Sequence, residues 1–307
     1  MKNFHLLVAG GTGFIGQALV DDRLKRGDEI TVLGRSINKI QRYYGNSIRP
    51  MAWEQLNTEK LSQVDVVINL AGESISGKRW SKQRKAAILH SRTFTTQRLA
   101  NLCAELAESA PRVFNASAIS IYGTHPSTSI ANETTPIVKP PFPDFLTEVA
   151  FSWEEATQVA NTAGVKVINL RFGVVLDVTG GILKKLWLPF QLGLGHIIGD
   201  GQQKISWVSL TDVVNSIDTL LRHEQLTGPI NIVSPNIISQ REFANTLAKY
   251  LHRPCCLTLS KPIILLLFGQ MGQELFLSSR CATPDLLKQC DYNFITPTLK
   301  DCFSNLS

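Results

Sequence analysis

The chain has 307 residues, of which 44% are hydrophobic and 18% are charged, and its formal net charge is +6. This composition is typical of a folded globular protein and excludes extensive disorder. The length permits one large core or two unequal ones. Because its lysines and arginines form no dense run interleaved with aromatic residues, we expect no nucleic-acid partner.

The first sixteen residues contain the most informative pattern in the chain. Residues 4–9 are mainly apolar and lead directly into the sequence Gly-Gly-Thr-Gly-Phe-Ile-Gly, after which a helical pattern begins. A buried strand, closely spaced glycines and a helix are typical of a dinucleotide-binding unit. Gly10 permits a sharp turn, Gly13 lets the backbone approach a pyrophosphate, and Gly16 lets the helix lie close to the strand. We therefore predict cofactor contacts at Gly10, Gly11, Thr12, Gly13, Phe14, Ile15 and Gly16.

The residues after the predicted second strand, 28–33, indicate which dinucleotide is preferred. A unit that prefers NAD usually has an acidic residue there, which accepts hydrogen bonds from the ribose hydroxyls. This chain has Arg35 and Ser36 instead, and its acidic pair, Asp28 and Glu29, stands at the other end of the strand. A guanidinium and a hydroxyl suit a phosphate, so NADP(H) is predicted. The alternative is that Arg35 and Lys39 only solvate a surface loop.

The remaining elements alternate between strand-like and helix-like patterns, which is typical of a parallel sheet with crossover helices. Strands are predicted at 64–70, 112–117 and 165–171, and helices at 81–108 and 144–163. Beyond residue 176 closely spaced glycines predict a loop-rich region around 184–190. There follow a short strand at 207–210, a helix at 212–221, a strand at 229–233 that returns to the main sheet, and a helix at 239–251.

These elements predict an α/β fold, a Rossmann-type doubly wound parallel sheet with a small C-terminal α/β substrate lobe. We assign residues 1–176 to the dinucleotide-binding domain, to which 206–235 return, and residues 177–205 and 236–307 to the lobe. The six cysteines lack zinc-site spacing, so no metal is expected. Residues 1–3 leave no room for a signal peptide, and the apolar run 262–268 is too short to span a bilayer. We therefore expect a cytoplasmic protein without a membrane partner.

Motifs further along the chain resemble those of a known protein family. Leu70-Ala71-Gly72-Glu73 lies at the end of the strand predicted at 64–70. Ser117-Ala118 precedes Tyr122-Gly123, and Gly199-Asp200-Gly201 precedes Trp207. This series resembles the extended short-chain dehydrogenase/reductase superfamily, which includes nucleotide-sugar epimerases. Within it the chain resembles, nearly from end to end, the atypical branch of YfcH-like or 39U-type epimerase family proteins. The marks of that branch are Lys78-Arg79-Trp80-Ser81, Ser91-Arg92, Trp153-Glu154, Gly199-x-Gly201-x-Gln203 and the stretch 280–294.

The resemblance implies further contacts to the cofactor, at Leu70, Ala71, Gly72, Glu73 and Val174. The alternative is that the first three form only a tight strand exit and that Val174 belongs to the core. It also implies a small-molecule substrate, whose identity no motif indicates. The helices predicted at 81–108 and 144–163 are those that pair subunits in related proteins, so a homodimer is one expectation.

The catalytic residues of the superfamily are absent from their usual places. Active members use a Tyr-x-x-x-Lys pair with a Ser or Thr, but here Phe145 and Val149 take the places of the pair, and Ala118 that of the hydroxyl residue. Tyr122 and Ser117 are the remaining candidates, although Tyr122 is equally explained as a packed aromatic residue. We therefore predict an NADP(H)-binding oxidoreductase- or epimerase-like protein with an altered proton donor. The alternative is a non-catalytic NADP(H)-binding sensor or regulatory protein.

Overall fold

The structure is a computed structural model that describes residues 3–124 and 129–306. Within these residues thirteen strands are found, numbered in chain order: β1 (His5–Ala9), β2 (Glu29–Gly34), β3 (Arg49–Ala52), β4 (Val66–Asn69), β5 (Arg112–Ala118), β6 (Val167–Phe172), β7 (Val174–Asp177), β8 (His196–Ile198), β9 (Lys204–Ile205), β10 (Trp207–Ser209), β11 (Gly228–Ile232), β12 (Ile238–Ser239) and β13 (Leu257–Leu259).

The same residues form thirteen α-helices, numbered in the same way: α1 (Phe14–Lys25), α2 (Ile37–Tyr44), α3 (Thr58–Leu61), α4 (Lys82–Leu106), α5 (Phe145–Glu155), α6 (Gln158–Thr162), α7 (Gly181–Gln191), α8 (Leu210–Arg222), α9 (Gln240–Tyr250), α10 (Lys261–Phe268), α11 (Gln270–Phe276), α12 (Asp285–Gln289) and α13 (Leu299–Ser304). Short 3₁₀ turns, one of them Ile119–Tyr122, complete the regular structure.

Seven strands form one parallel sheet in the order β11-β6-β5-β4-β1-β2-β3. Alternate side chains of each strand enter two different cores, since successive residues of a strand point to opposite faces. Leu6 and Val8 pack with α1 and α8 on one face, whereas Leu7 and Ala9 pack with α3 and α4 on the other. The predicted Rossmann-type parallel sheet is confirmed, and its strands are apolar because both faces are covered.

The strand β11 joins the sheet after a long excursion of the chain. It pairs in parallel with β6, with Gly228 opposite Ile168 and Ile232 opposite Phe172. The sequence predicted this return for residues 229–233. Apart from this sheet, the helices α7, α9 and α13 enclose a further core with Phe190, Phe243 and Phe303. The domain boundaries given above stay a prediction.

Two parts of the chain differ from the sequence-based expectation. Residues 184–190 were expected to be loop-rich, but they lie within α7, because Leu183 and Phe190 bury one side of that helix against α9. The single helix expected over 144–163 is divided into α5 and α6, with a break after Glu155.

Candidate functional site

The glycine loop lies between β1 and α1, at the edge where the parallel strands end. Gly10 has φ of +80°, a left-handed conformation that favours glycine, and a Cβ there would lie 2.8 Å from the carbonyl of Leu70. A Cβ on Gly16 would lie 2.7 Å from the Cα of Gly11 and closer still to the carbonyl oxygen of Gly10. Both positions therefore require glycine for close backbone packing.

The first turn of α1 is open to an anion. Its N-cap, Gly13, supplies no side-chain acceptor, and no acidic residue lies in the first turn. The backbone N–H groups at this end have no intrahelical acceptor, so they are available to a phosphate. Side chains outside the loop fix its backbone. Gln17 donates a hydrogen bond to the carbonyl of Thr12 at 3.0 Å, and the Tyr44 hydroxyl donates one to the carbonyl of Gly11 at 2.6 Å.

The exit of β2 carries no carboxylate. Arg35 is exposed, and the Ser36 side chain caps α2 by accepting a hydrogen bond from the backbone N–H of Lys39 at 3.3 Å. Both acids of this strand are engaged at its opposite end. Asp28 accepts from the backbone N–H of residue 4 and from a buried arginine, and Glu29 pairs with another arginine. A basic side chain therefore stands where an NAD-preferring unit has an acid.

The turn after β4 lies directly against the glycine loop. The backbone N–H of Leu70 donates to the carbonyl of Ala9 at 2.9 Å, and that of Ala71 donates to the side chain of Asn69 at 3.3 Å. Gly72 lies over the Arg92 guanidinium, whose Cζ would be 3.1 Å from a Cβ at Gly72. The four predicted contacts, Leu70 to Glu73, are thus brought to the same edge as Gly10.

Arg92 is a buried cation beneath this turn. Its Nη1 donates to the carbonyls of Glu73 and Ile88, at 2.9 and 3.1 Å, and its guanidinium lies 4.7 Å from the centre of the Trp153 ring. Among the described residues it forms no ion pair with a carboxylate. Burial therefore lowers the pKa of Arg92 to about 10, while the nearby Glu73 acts in the opposite direction.

Glu73 is held by the surrounding arginines. Arg84 donates to its carboxylate at 2.7 Å, and this hydrogen bond lowers the pKa of Glu73, with Arg35 and Arg92 acting in the same direction. Arg35 is therefore close enough for its charge to be felt at the turn after β4. The three arginines make this edge electropositive, which suits a phosphorylated cofactor.

An apolar cluster fills the positions at which the family resemblance predicts the catalytic pair. Phe145 and Val149, on the first turns of α5, are 6% and 4% exposed and pack with Ile88, Ile75 and Leu89. The ring of Trp80 meets that of Phe145 edge to face at 5.1 Å. Neither residue of the pair can exchange a proton, and the side chains that pack against them in this cluster are apolar.

A series of polar contacts connects α11 to the start of α5, next to this apolar cluster. Lys85 Nζ lies 5.3 Å from the centre of the Phe145 ring and 3.1 Å from Oε1 of Gln270. Gln270 in turn donates to Glu274 at 2.7 Å, and the buried Glu274 accepts from the backbone N–H groups of Phe145 and Leu146 at 3.3 and 2.9 Å. The sequence gives no indication of these residues, because no motif signals the contact of Glu274 with the start of α5 across about 130 positions.

The hydroxyls of Tyr122 and Ser117 lie inside a buried network. The Tyr122 hydroxyl donates to Asn231 at 2.9 Å and accepts from Arg171 at 2.8 Å, and the Ser117 hydroxyl donates to Glu154 at 2.6 Å. Both residues are 2% exposed. Burial raises the pKa of Tyr122. These contacts agree with the alternative that Tyr122 is a packed aromatic residue, and they give Ser117 a structural partner as well.

Val174, the one predicted cofactor contact on a later strand, is the first residue of β7. Its side chain is 40% exposed, so it is not a core residue, and its backbone N–H donates to the carbonyl of Ser206 at 2.9 Å.

No group of three or more metal-binding side chains occurs in the part of the chain that the structure describes.

Comparison with known proteins agrees with this architecture. The model of the NAD dependent epimerase/dehydratase family matches residues 6–233. An epimerase family protein of Staphylococcus saprophyticus is 34% identical over 304 residues, which are 98% of this chain and 99% of that protein. The crystal structure of human epimerase family protein SDR39U1 with NADPH has a TM-score of 0.85 at 28% identity, over 98% of each chain.

A nucleoside-diphosphate sugar epimerase from Corynebacterium glutamicum is also similar, with a TM-score of 0.77 and 28% identity over 99% of this chain and 58% of that one. The sheet order and the glycine loop define a Rossmann-type fold of the extended short-chain dehydrogenase/reductase kind. The chain belongs to the NAD dependent epimerase/dehydratase family. The expected family resemblance is thereby confirmed.

Proposed function

We propose that the chain binds NADP(H) and acts as an oxidoreductase- or epimerase-like enzyme on a small substrate, without a Tyr-x-x-x-Lys pair. The observation that carries the cofactor assignment is the exit of β2, where Arg35 and the Ser36 hydroxyl stand and both nearby acids are engaged elsewhere. The human relative solved with NADPH, which shares 28% of its residues with this chain, supports the same assignment.

Each part of the site has a definable task. The glycine loop and the open first turn of α1 fit a pyrophosphate, because a side chain at Gly10 or Gly16 would fill the space that the backbone needs. Arg35 supplies a planar guanidinium for a ribose phosphate. Arg92, buried and without a carboxylate partner among the described residues, adds positive charge beneath the turn after β4. When bound, the nicotinamide would supply or accept a hydride.

Proton transfer must then come from a side chain other than the usual tyrosine. Lys85 is the protonatable group that the structure places over the ring of Phe145, at 5.3 Å. We assign Lys85 the task of contacting the polar group of the substrate, with Gln270 holding its ammonium. Lys85→Met should lower turnover and leave NADPH affinity unchanged, whereas Lys82→Met, at the exposed start of the same helix, should change neither.

The non-catalytic sensor is a second candidate, favoured by the burial of Phe145 and Val149 among apolar side chains. The two candidates share the cofactor and differ in turnover. Purified protein with NADPH should therefore be offered a broad panel of small carbonyl compounds and nucleotide sugars. Consumption of NADPH or conversion of a sugar supports the enzyme. If the protein binds NADPH but no compound of the panel reacts, the result supports the sensor.

The cofactor assignment is tested by calorimetric titration with NADPH and NADH. Arg35→Asp should weaken NADPH binding by roughly 1–3 kcal/mol, the scale of a lost hydrogen bond to a charged group, and should affect NADH much less. Arg42→Asp changes the same charge on the exposed side of α2 and is the matched control. Equal affinity of the Arg35 variant and the wild type for NADPH would overturn the phosphate assignment.

A further inference from the structure

Large apolar side chains are concentrated on one exposed surface of the C-terminal half. Of the thirteen large hydrophobic residues that are exposed in the described part of the chain, seven lie on α7, β13, α10 and the segment after α7. Leu266 is 75% exposed and Leu192 is 66% exposed. We call this surface the leucine face, and its members are Leu188, Leu192, Leu194, Leu257, Ile263, Leu266 and Leu267.

Two sets of contacts connect the elements that carry these residues. At one end Arg253 Nε donates to the carbonyl of Gln191 at 2.7 Å, and β13 pairs with β8. At the other end, Lys185 of α7 donates to the Ser76 hydroxyl at 3.0 Å, and the Arg79 guanidinium would be 3.1 Å from a Cβ at Gly269, which follows α10. These contacts place the end of α7 and the strands β8 and β13 at one end of the surface, and they place the first half of α7 and the end of α10 at residues 76–79 at the other.

The α10 helix exposes most of its apolar side chains. Its sequence is Lys-Pro-Ile-Ile-Leu-Leu-Leu-Phe, yet Ile264 is the one residue of the helix that is buried. Ile263, Leu266 and Leu267 share the opposite face, since they are three and four positions apart. Contiguous exposed apolar surface of this kind marks an interaction site in a soluble fold.

The two stretches of chain that carry the leucine face have basic side chains and no acidic ones. Residues 178–199 and 243–273, which include α7, β8, β13 and α10, contain no aspartate or glutamate. The same stretches contain five basic residues, namely Lys184, Lys185, Lys249, Arg253 and Lys261. These stretches therefore combine exposed apolar side chains with cations, which complements a surface that is apolar inside and negatively charged outside.

We propose that the leucine face docks onto a membrane rich in anionic lipid. The leucines enter the boundary between headgroups and acyl chains, and the surrounding lysines meet the anionic headgroups. The contact is peripheral: among the described residues no helix has the length and apolar content of a membrane span. The proposal departs from the expectation of no membrane partner, which was derived from the length of apolar runs and stays a prediction.

The test is co-sedimentation of the full chain with vesicles, either of pure phosphatidylcholine or of an equimolar mixture with phosphatidylglycerol. The protein should bind the anionic vesicles, and added salt should weaken the binding. Leu266→Ser with Leu267→Ser should reduce partitioning by at least about tenfold. Lys184→Glu with Lys261→Glu should reduce it by about fivefold or more per position.

A matched double variant, Val159→Ser with Ile295→Ser, removes two exposed apolar side chains that lie outside the leucine face and should bind as the wild type does. Melting temperature and NADPH affinity, measured for every variant, establish that each is folded. Failure of the wild type to bind anionic vesicles overturns the proposal, as does equal loss in the matched variant. Light scattering without lipid supplies the last outcome: a dimer that the leucine substitutions dissociate assigns the face to a second copy and overturns membrane docking.

Discussion

Arg171 and Glu154 form a bidentate pair beneath the end of β5, with Nε and Nη2 each 2.8 Å from a different carboxylate oxygen. Both side chains are almost fully buried. The pair connects the Ser117 hydroxyl on one side to the Tyr122 hydroxyl on the other. It therefore fixes α5, β5 and β6 relative to one another, next to the positions at which the resemblance predicts catalytic residues.

Removal of one partner should be costly. Glu154→Ala leaves the Arg171 guanidinium buried without its carboxylate, so the free energy of unfolding should fall by roughly 3–5 kcal/mol. Urea denaturation followed by circular dichroism measures this. Glu155→Ala, at the exposed neighbouring position, should change it by less than about 0.5 kcal/mol. A small effect of Glu154→Ala would show that the pair contributes little to stability.

Replacing Val149 by the lysine that the resemblance predicts at this position should destabilise the fold. Val149→Lys places an ammonium among the apolar side chains of Ile88 and Phe145 and should destabilise the protein by about 3 kcal/mol or more. Phe145→Tyr adds only a hydroxyl and should cost less. Val159→Lys, on the exposed side of α6, is the control and should melt within a few degrees of the wild type. Wild-type stability of Val149→Lys would mean that the cluster is open to solvent.

The close packing of the glycine loop gives a sharp steric prediction. Gly16→Ala should reduce NADPH affinity at least about tenfold and destabilise the fold by roughly 1–3 kcal/mol, because the new Cβ overlaps the backbone of Gly10 and Gly11. At Gly77 the nearest atom to a new Cβ is 3.6 Å away, so Gly77→Ala should bind NADPH normally. Normal binding by Gly16→Ala would contradict the loop geometry.

Glu73 should contribute a pH-dependent part of the stability. Its folded pKa is lowered by the hydrogen bond from Arg84, so its contribution is complete above the ordinary value of 4.5 and is lost as pH falls through the folded pKa. Glu73→Gln should therefore melt below the wild type at neutral pH, and the difference should shrink in acid. Glu105→Gln, on the exposed side of α4, should show no such convergence. A difference that is constant with pH would refute this account.

The cysteines should differ strongly in reactivity. Burial raises the pKa of Cys103 to about 12, and burial raises that of Cys302 to about 12 as well, so both thiols stay protonated in mildly alkaline solution. Cys256 is exposed. Mass spectrometry after brief iodoacetamide treatment of the native protein should find Cys256 alkylated and the other two intact. All three should react in urea, and native labelling of Cys103 would indicate local opening of α4.

The sequence predicted those features that depend on neighbouring residues. The glycine spacing and the apolar runs determine the loop and the strands. The helix predicted at 239–251 corresponds to α9, which Ser239 caps by accepting a hydrogen bond from the backbone N–H of Glu242. The helix α7 was missed because glycines surround it and Pro189 lies inside it. Glu274 was missed because its partners are brought near only by folding. The apolar sequence of α10 resembles a buried segment, and only the fold shows that its leucines are exposed.

The late arrival of β11 has a consequence for synthesis on the ribosome. Until residue 232 has emerged and folded back, β6 is an edge strand with unpaired backbone groups along its length. A chain paused or truncated after α7 would expose that edge and lack the contacts of α8 with α1. Nascent chains of such intermediate length should therefore depend most on chaperones and aggregate most readily. Completion of the C-terminal third protects the cofactor-binding sheet from self-association.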